Sequence, residues 1–275
     1  MKVFLKIEFK RVVKSWGLWV SVVIGQLISI SHYFMMVVPM LRYIDTYKKV
    51  GLGTIMPHTV FSKWIGGEAV SIQHFLLFMI LPILCVIPWS ISAFNDKKEG
   101  IIKNYFIRAP KANYYSAKCF VNFIIGGLVS ILPFISNLIL TSATLPSLIP
   151  EVSTGVFAVR TDSMFAELFY SHPYIYVFTY LLIIFVFCGA VSCFATCIGI
   201  WLDNSFSIVI FPFVMHLFLY TICSSVEVKK YAPFHFLDPF QSASSISIGI
   251  ILVELLILIL VSFFLLLLGV RDETM

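Results

Sequence analysis

Residues 95–118 read NDKKEGIIKNYFIRAPKANYYSAK. This is the longest strongly polar interval between hydrophobic segments, and it carries six basic residues: Lys97, Lys98, Lys103, Arg108, Lys111 and Lys118. The apolar runs on either side are too long for a soluble core. Basic residues next to such runs mark the cytoplasmic side of a membrane protein. Inside the interval, Ile101, Ile102, Tyr105, Phe106 and Ala109 share one arc of a helix, with Lys103, Asn104 and Arg108 away from it. Pro110 ends that helix. The pattern predicts a short amphipathic helix with one side on the membrane domain and the other offered to a cytoplasmic partner; a basic loop that only fixes topology fits it as well.

Composition agrees with a membrane class. The chain is 60% hydrophobic and 12% charged over 275 residues, with a mean hydropathy of +0.97, whereas soluble domains are roughly a quarter charged. The net charge of +5 follows from basic residues beside apolar spans, so no nucleic-acid partner is expected. The six cysteines lie inside or at the ends of apolar runs, which excludes an extracellular disulfide framework. Cys193 and Cys197, four apart, read as small packing residues because no His or carboxylate sits beside them at ligand spacing.

Working outward, residues 1–15 place Leu5, Phe9, Val12 and Trp16 at helical spacing, with Lys6, Lys10 and Lys14 on another face. This predicts an interfacial helix along the inner membrane surface. The apolar run after it is too long for a signal-peptide core and is expected to stay in the mature protein. Membrane spans are expected at 16–40, 72–94, 119–141, 174–201, 206–223 and 246–270, within a single domain. Pro82 and Pro88 should kink the second span. External loops fall at 41–71 and 142–173, and a tight inner turn at 202–205. Residues 224–245 are too short to cross, and their aromatic, proline-rich half is expected to dip into the outer leaflet against protein.

The fold class is therefore an all-α membrane protein with six spans and both termini cytoplasmic. Twelve of the 19 Lys and Arg residues then lie inside. No loop has room for a folded soluble enzyme domain.

One resemblance rests on specific residues. An aromatic-ended span is followed by a mixed charge cluster, the Glu99-Gly100 pair, two aliphatics and a short helix closed by Arg108 and Pro110. An aromatic pair then precedes Lys118 at the next span. This resembles the first cytoplasmic loop of permease subunits of type-2 ATP-binding-cassette (ABC) exporters, and the six-span layout is loosely similar too. The chain departs from the commoner pattern at Ile102, where Thr or Leu is frequent, and in its Lys97-Lys98 start.

The resemblance implies a coupling helix between spans 2 and 3, a separate ATPase dimer carrying ATP and Mg, and a second permease subunit as homodimer or heterodimer. Glu99, Gly100, Ile101, Ile102, Tyr105, Phe106 and Arg108 would be the coupling residues, and the cargo a hydrophobic or amphipathic peptide, antibiotic or lipid. The sequence has no GxxxxGK[ST] and no Gly-Lys dipeptide, so nucleotide would have to bind another chain. A membrane-embedded enzyme or an ion-coupled secondary transporter is the alternative. No Ser/His/Asp set, HExxH or paired acidic motif supports catalysis, so neither catalytic residues nor a cofactor or metal is expected in this chain.

His32, His216 and Glu254 each fall about 12 Å below the outer boundary of their spans. An ionisable group there costs at least ~2.5 kcal/mol and faces protein or a wet cavity. Two roles stay open, locking helix packing or lining the outer end of a path. His58, His74, His172 and His235 are expected at the outer interface.

Overall fold

The computed structural model describes residues 2–41, 58–68, 70–108, 110–150, 159–241, 243 and 245–272, and their regular structure is helical throughout. In chain order the helices are α1 (Lys2–Val13), α2 (Trp16–His32), α3 (Val60–Lys63), α4 (Ile72–Val86), α5 (Ser92–Lys98) and α6 (Ile101–Arg108). There follow α7 (Lys111–Ser142), α8 (Ala166–Ser171), α9 (Pro173–Ile198), α10 (Ser205–Ser225), α11 (Pro233–Leu237) and α12 (Ile248–Asp272). A π-helical turn, Tyr33–Val37, carries α2 on to Leu41. Parts of the expected loops (42–57, 69, 151–158) and tail (273–275) lie outside the described residues.

Five helices, Trp16–Leu41, Lys111–Ser142, Pro173–Ile198, Ser205–Ser225 and Ile248–Gly269, are long and apolar enough to cross a bilayer. About 20 residues at 1.5 Å each reach the ~30 Å of a hydrocarbon core. The chain is thus a multi-pass membrane protein whose regular structure, among the described residues, is all helical.

The expected second span, 72–94, is not one helix. α4 stops at Val86 after 15 residues, about 22 Å at 1.5 Å per residue. Pro88 has no N–H with which to continue the ladder, and a turn over 87–91 leads into α5. The third apolar helix also differs from expectation: it begins at Lys111, directly after Pro110, and so takes up the last third of the polar interval.

The core is built from α4, α7 and α9, with α2 against α4 and α7, and α10 against α4. The α7 and α9 backbones approach closely at glycines. A Cβ on Gly189 would sit 2.7 Å from the Phe123 carbonyl oxygen, and one on Gly127 would sit 2.6 Å from that of Phe185. Small residues let transmembrane helices meet in this way where lipid offers no hydrophobic drive. α12 packs mainly on α9 and exposes Leu252, Leu256, Leu260 and Phe264, as a lipid-facing helix does.

The proline-rich segment before α12 folds into the protein. Residues 233–237 are all buried, and Tyr176 donates to the Pro239 carbonyl. Gln241 holds Met164 at both ends, accepting from its N–H at 2.6 Å and donating to its carbonyl at 2.7 Å. His74, expected near the outer boundary, is packed inside the protein. It is 2% exposed, with Nδ1 2.6 Å from the Ile65 carbonyl and Nε2 3.4 Å from Asp238. His235 is buried as well.

Candidate functional site

α1 turns a charged edge inward. Of the apolar residues expected along the membrane surface, Val12 is buried in the protein and Trp16 is 85% exposed, while Glu8 is 2% exposed. Glu8, Arg11 and Val12 are related by i, i+3 and i, i+4 spacing and therefore share one face. That face meets α7 and the residues that follow α4. At its end, the Ser15 hydroxyl accepts from the Leu18 N–H and donates to the Pro88 carbonyl, which fixes the step into α2.

Four charges close a buried network there. Arg11 donates to both oxygens of Asp96, Nη2 to Oδ1 at 2.6 Å and Nη1 to Oδ2 at 3.1 Å, a bidentate geometry that fits guanidinium to carboxylate. Lys118 Nζ lies 2.8 Å from Asp96 Oδ2 and 3.2 Å from Glu8 Oε2. Arg11 also reaches Glu8 Oε1 at 3.0 Å. Neutral donors and acceptors fill the remaining sites: Tyr114 OH donates to Asp96 at 2.7 Å, Trp89 Nε1 to Glu8 at 2.8 Å, and Lys118 to Ser92 Oγ at 3.0 Å. Arg11 and Lys118 both lie over the Trp89 ring, at 5.3 and 5.5 Å. The four charged groups sum to zero. Such a network adds little net stability over an apolar core, but it ties its elements into one geometry.

Burial alone would raise the Asp96 carboxyl, but Arg11, Lys118 and Tyr114 together hold it below the ordinary carboxylate range. A depressed folded value means the stabilisation is complete above the unfolded pKa of about 3.9 and fades as pH falls through the folded value. Hydrogen exchange in residues 2–13, corrected for intrinsic rates, should accelerate below about pH 4. Asp96→Asn should remove this acid dependence, and protection that stays constant down to pH 3 would contradict it.

α6 completes the unit. Gly100, with φ of 72°, ends α5 in the left-handed conformation that suits glycine and turns the chain into α6. The expected apolar arc packs on the protein itself: Ile102 is 7% exposed and clusters with Tyr114 and Tyr115, with Tyr105 and Phe106 against them. Tyr105 also meets Phe4 of α1 at 5.7 Å between ring centres.

Of the expected coupling residues, Ile102, Tyr105 and Phe106 therefore face inward, Ile101 is half-buried, and Glu99 and Gly100 are exposed. The side chains of Lys103, Asn104 and Arg108, and residue Ala109, lie outside the described residues. Among the described side chains of α6, Ile107 projects outward, 83% exposed; the arc did not include it.

The three intramembrane groups do not form one cluster. His32 is fully buried, with Nδ1 3.2 Å from Asn137 Nδ2 and Nε2 3.7 Å from Glu68. Asn137 in turn bonds the Ser29 carbonyl and the Ile65 N–H, so this set locks α2 to α7 and the loop before α4. His216 and Glu254 line a separate cavity with apolar walls. Cys193 donates to the Cys119 carbonyl, and the Cys119 and Cys197 sulfurs lie 3.8 Å apart. Among the described residues no His, Cys, Asp and Glu grouping could hold a metal.

Comparison with protein-family models, curated proteins and solved structures finds no match.

Proposed function

We propose that the chain is the membrane subunit of a transporter driven by a separate ATPase, of the type-2 ABC exporter kind. It would have six spans, α4 being the short second one, both termini in the cytoplasm and residues 229–245 re-entrant from outside. The observation that carries this reading is the ion-locked unit of α1, α5, α6 and the start of α7. The apolar arc of α6 packs within the chain, yet the unit presents Lys98, Glu99, Gly100 and Ile107 outward.

An element that only fixed topology would not need a buried four-charge lock. A lever that takes load from a partner does, because force on α6 must reach α7 without the joint yielding. Through α7 the motion passes to α9 and α4, the centre of the bundle.

The chain, purified gently from its native membrane, should carry a second polypeptide with a P-loop, and transport should follow ATP hydrolysis by that subunit. Ile107→Glu places a charge on an exposed position and should weaken the association about tenfold or more while leaving the fold intact. Purification with no P-loop protein, or transport that follows an ion gradient, would reject the assignment in favour of a secondary transporter.

A further inference from the structure

The gap between α10 and α12, which both pack on α9, holds a cavity of about 440 Å³. Its size is that of a site for a drug-sized molecule. The walls are almost wholly apolar, with Phe187, Phe194, Pro212 and Tyr231 among them. Besides the Tyr231 hydroxyl and the Cys188 and Cys223 thiols, Glu254 and His216 break the apolar lining. Glu254 of α12 enters it without a hydrogen bond or ion pair among the described residues. His216 of α10 is 5% exposed, and its Nε2 has no hydrogen-bond partner among the described residues. No Lys or Arg lines the cavity among the described residues.

Unpaired polar groups in an apolar pocket are costly and are relieved by a ligand that pairs with them. The carboxylate selects a cation. The aromatic and aliphatic walls require the rest of the ligand to be apolar. Because α10 and α12 are the outer helices of the bundle and expose most of their length, such a ligand can arrive from the bilayer.

We propose that this cavity binds a lipophilic amine in its protonated form, the ammonium against Glu254 and the apolar body among the rings. This rests on the transporter reading for its purpose, since it names the class of cargo, but not for its test.

The full-length chain in nanodiscs made only of phosphatidylglycerol is titrated with a dansyl-tagged long-chain primary amine and with the matching alcohol. The amine should bind at least about tenfold tighter than the alcohol. Glu254→Gln should erase that preference, with monodisperse elution showing that the variant is folded. Glu254→Asp, keeping the charge, should retain part of the preference.

Equal binding of amine and alcohol to the unaltered chain overturns the proposal, as does an undiminished preference in Glu254→Gln. Displacement of the amine by added phosphatidylethanolamine supports the ammonium site and names a lipid headgroup as its source. The measurement needs no ATPase, so its failure leaves the partner assignment standing, and loss of the partner assignment leaves the binding result standing.

Discussion

Lys118→Met should destabilise the folded chain by about 3–5 kcal/mol, the range for breaking a buried ion pair on one side. Lys118 is fully buried and its ammonium is shared by Asp96, Glu8 and Ser92. Removing it leaves two buried carboxylates facing one half-buried guanidinium, with net negative charge at the site. Methionine fills much of the lost volume, so the effect is chiefly electrostatic.

A second change separates this from poor packing. Glu8→Gln restores neutrality, leaving the bidentate Arg11 and Asp96 pair balanced and Tyr114 still donating to it. The double variant should therefore recover more than half of the loss, a coupling that a double-mutant cycle reads directly. Thermal stability in detergent, followed by size-exclusion chromatography, measures both. No recovery in the double variant would mean that Lys118 acts through packing and that the four groups are not one electrostatic unit.

Gly189→Val should abolish accumulation of the folded chain. Even a Cβ at this position would stand 2.7 Å from the Phe123 carbonyl and 2.9 Å from its ring. The nearest obstacle is backbone, which no rotamer change can move. The α7 and α9 pair is the central packing of the bundle, so separating the two helices disturbs their contacts with α4 as well.

Overpacking costs about 1–3 kcal/mol where side chains can yield, and more where they cannot. By contrast, Gly249→Val should be tolerated, since a Cβ there meets only the Ser247 hydroxyl at 3.8 Å. Equal yields of monodisperse protein from the two variants would show that α7 and α9 do not approach as described.

Much of the helical layout was legible in the sequence because spans are read from length and hydropathy alone, and five of the expected spans correspond to long apolar helices. The second was legible as a kinked apolar run but not as a helix ending at Val86, since hydropathy persists beyond Pro88 while the backbone ladder does not. In the polar interval, the amphipathic arc of α6 and the Pro110 boundary were legible, and the inward side of that arc followed from periodicity.

Glu8 and Asp96 were not found. Each is an acid among basic residues, and net charge treats such a pair as cancellation when it is in fact contact. One local signal existed, the i, i+3 spacing of Glu8 and Arg11, but a contact across 85 residues between Arg11 and Asp96 leaves no mark on periodicity. The same limit explains the intramembrane groups. Depth places His32, His216 and Glu254 at one level, but the helix order around the bundle decides which of them share a wall. His216 and Glu254 do, while His32 turns to Asn137 and Glu68.

The most direct measurement is photocrosslinking from residue 107 in native membranes. A benzophenone side chain replacing Ile107 projects outward from α6, and one replacing Phe134, buried in the core, serves as the internal control. Illumination should join residue 107 to a protein with a P-loop, and the Phe134 position should give only internal products. Adducts from residue 107 to lipid alone, or none at all with the chain present at normal abundance, would contradict α6 as the place where a separate ATPase acts on this chain.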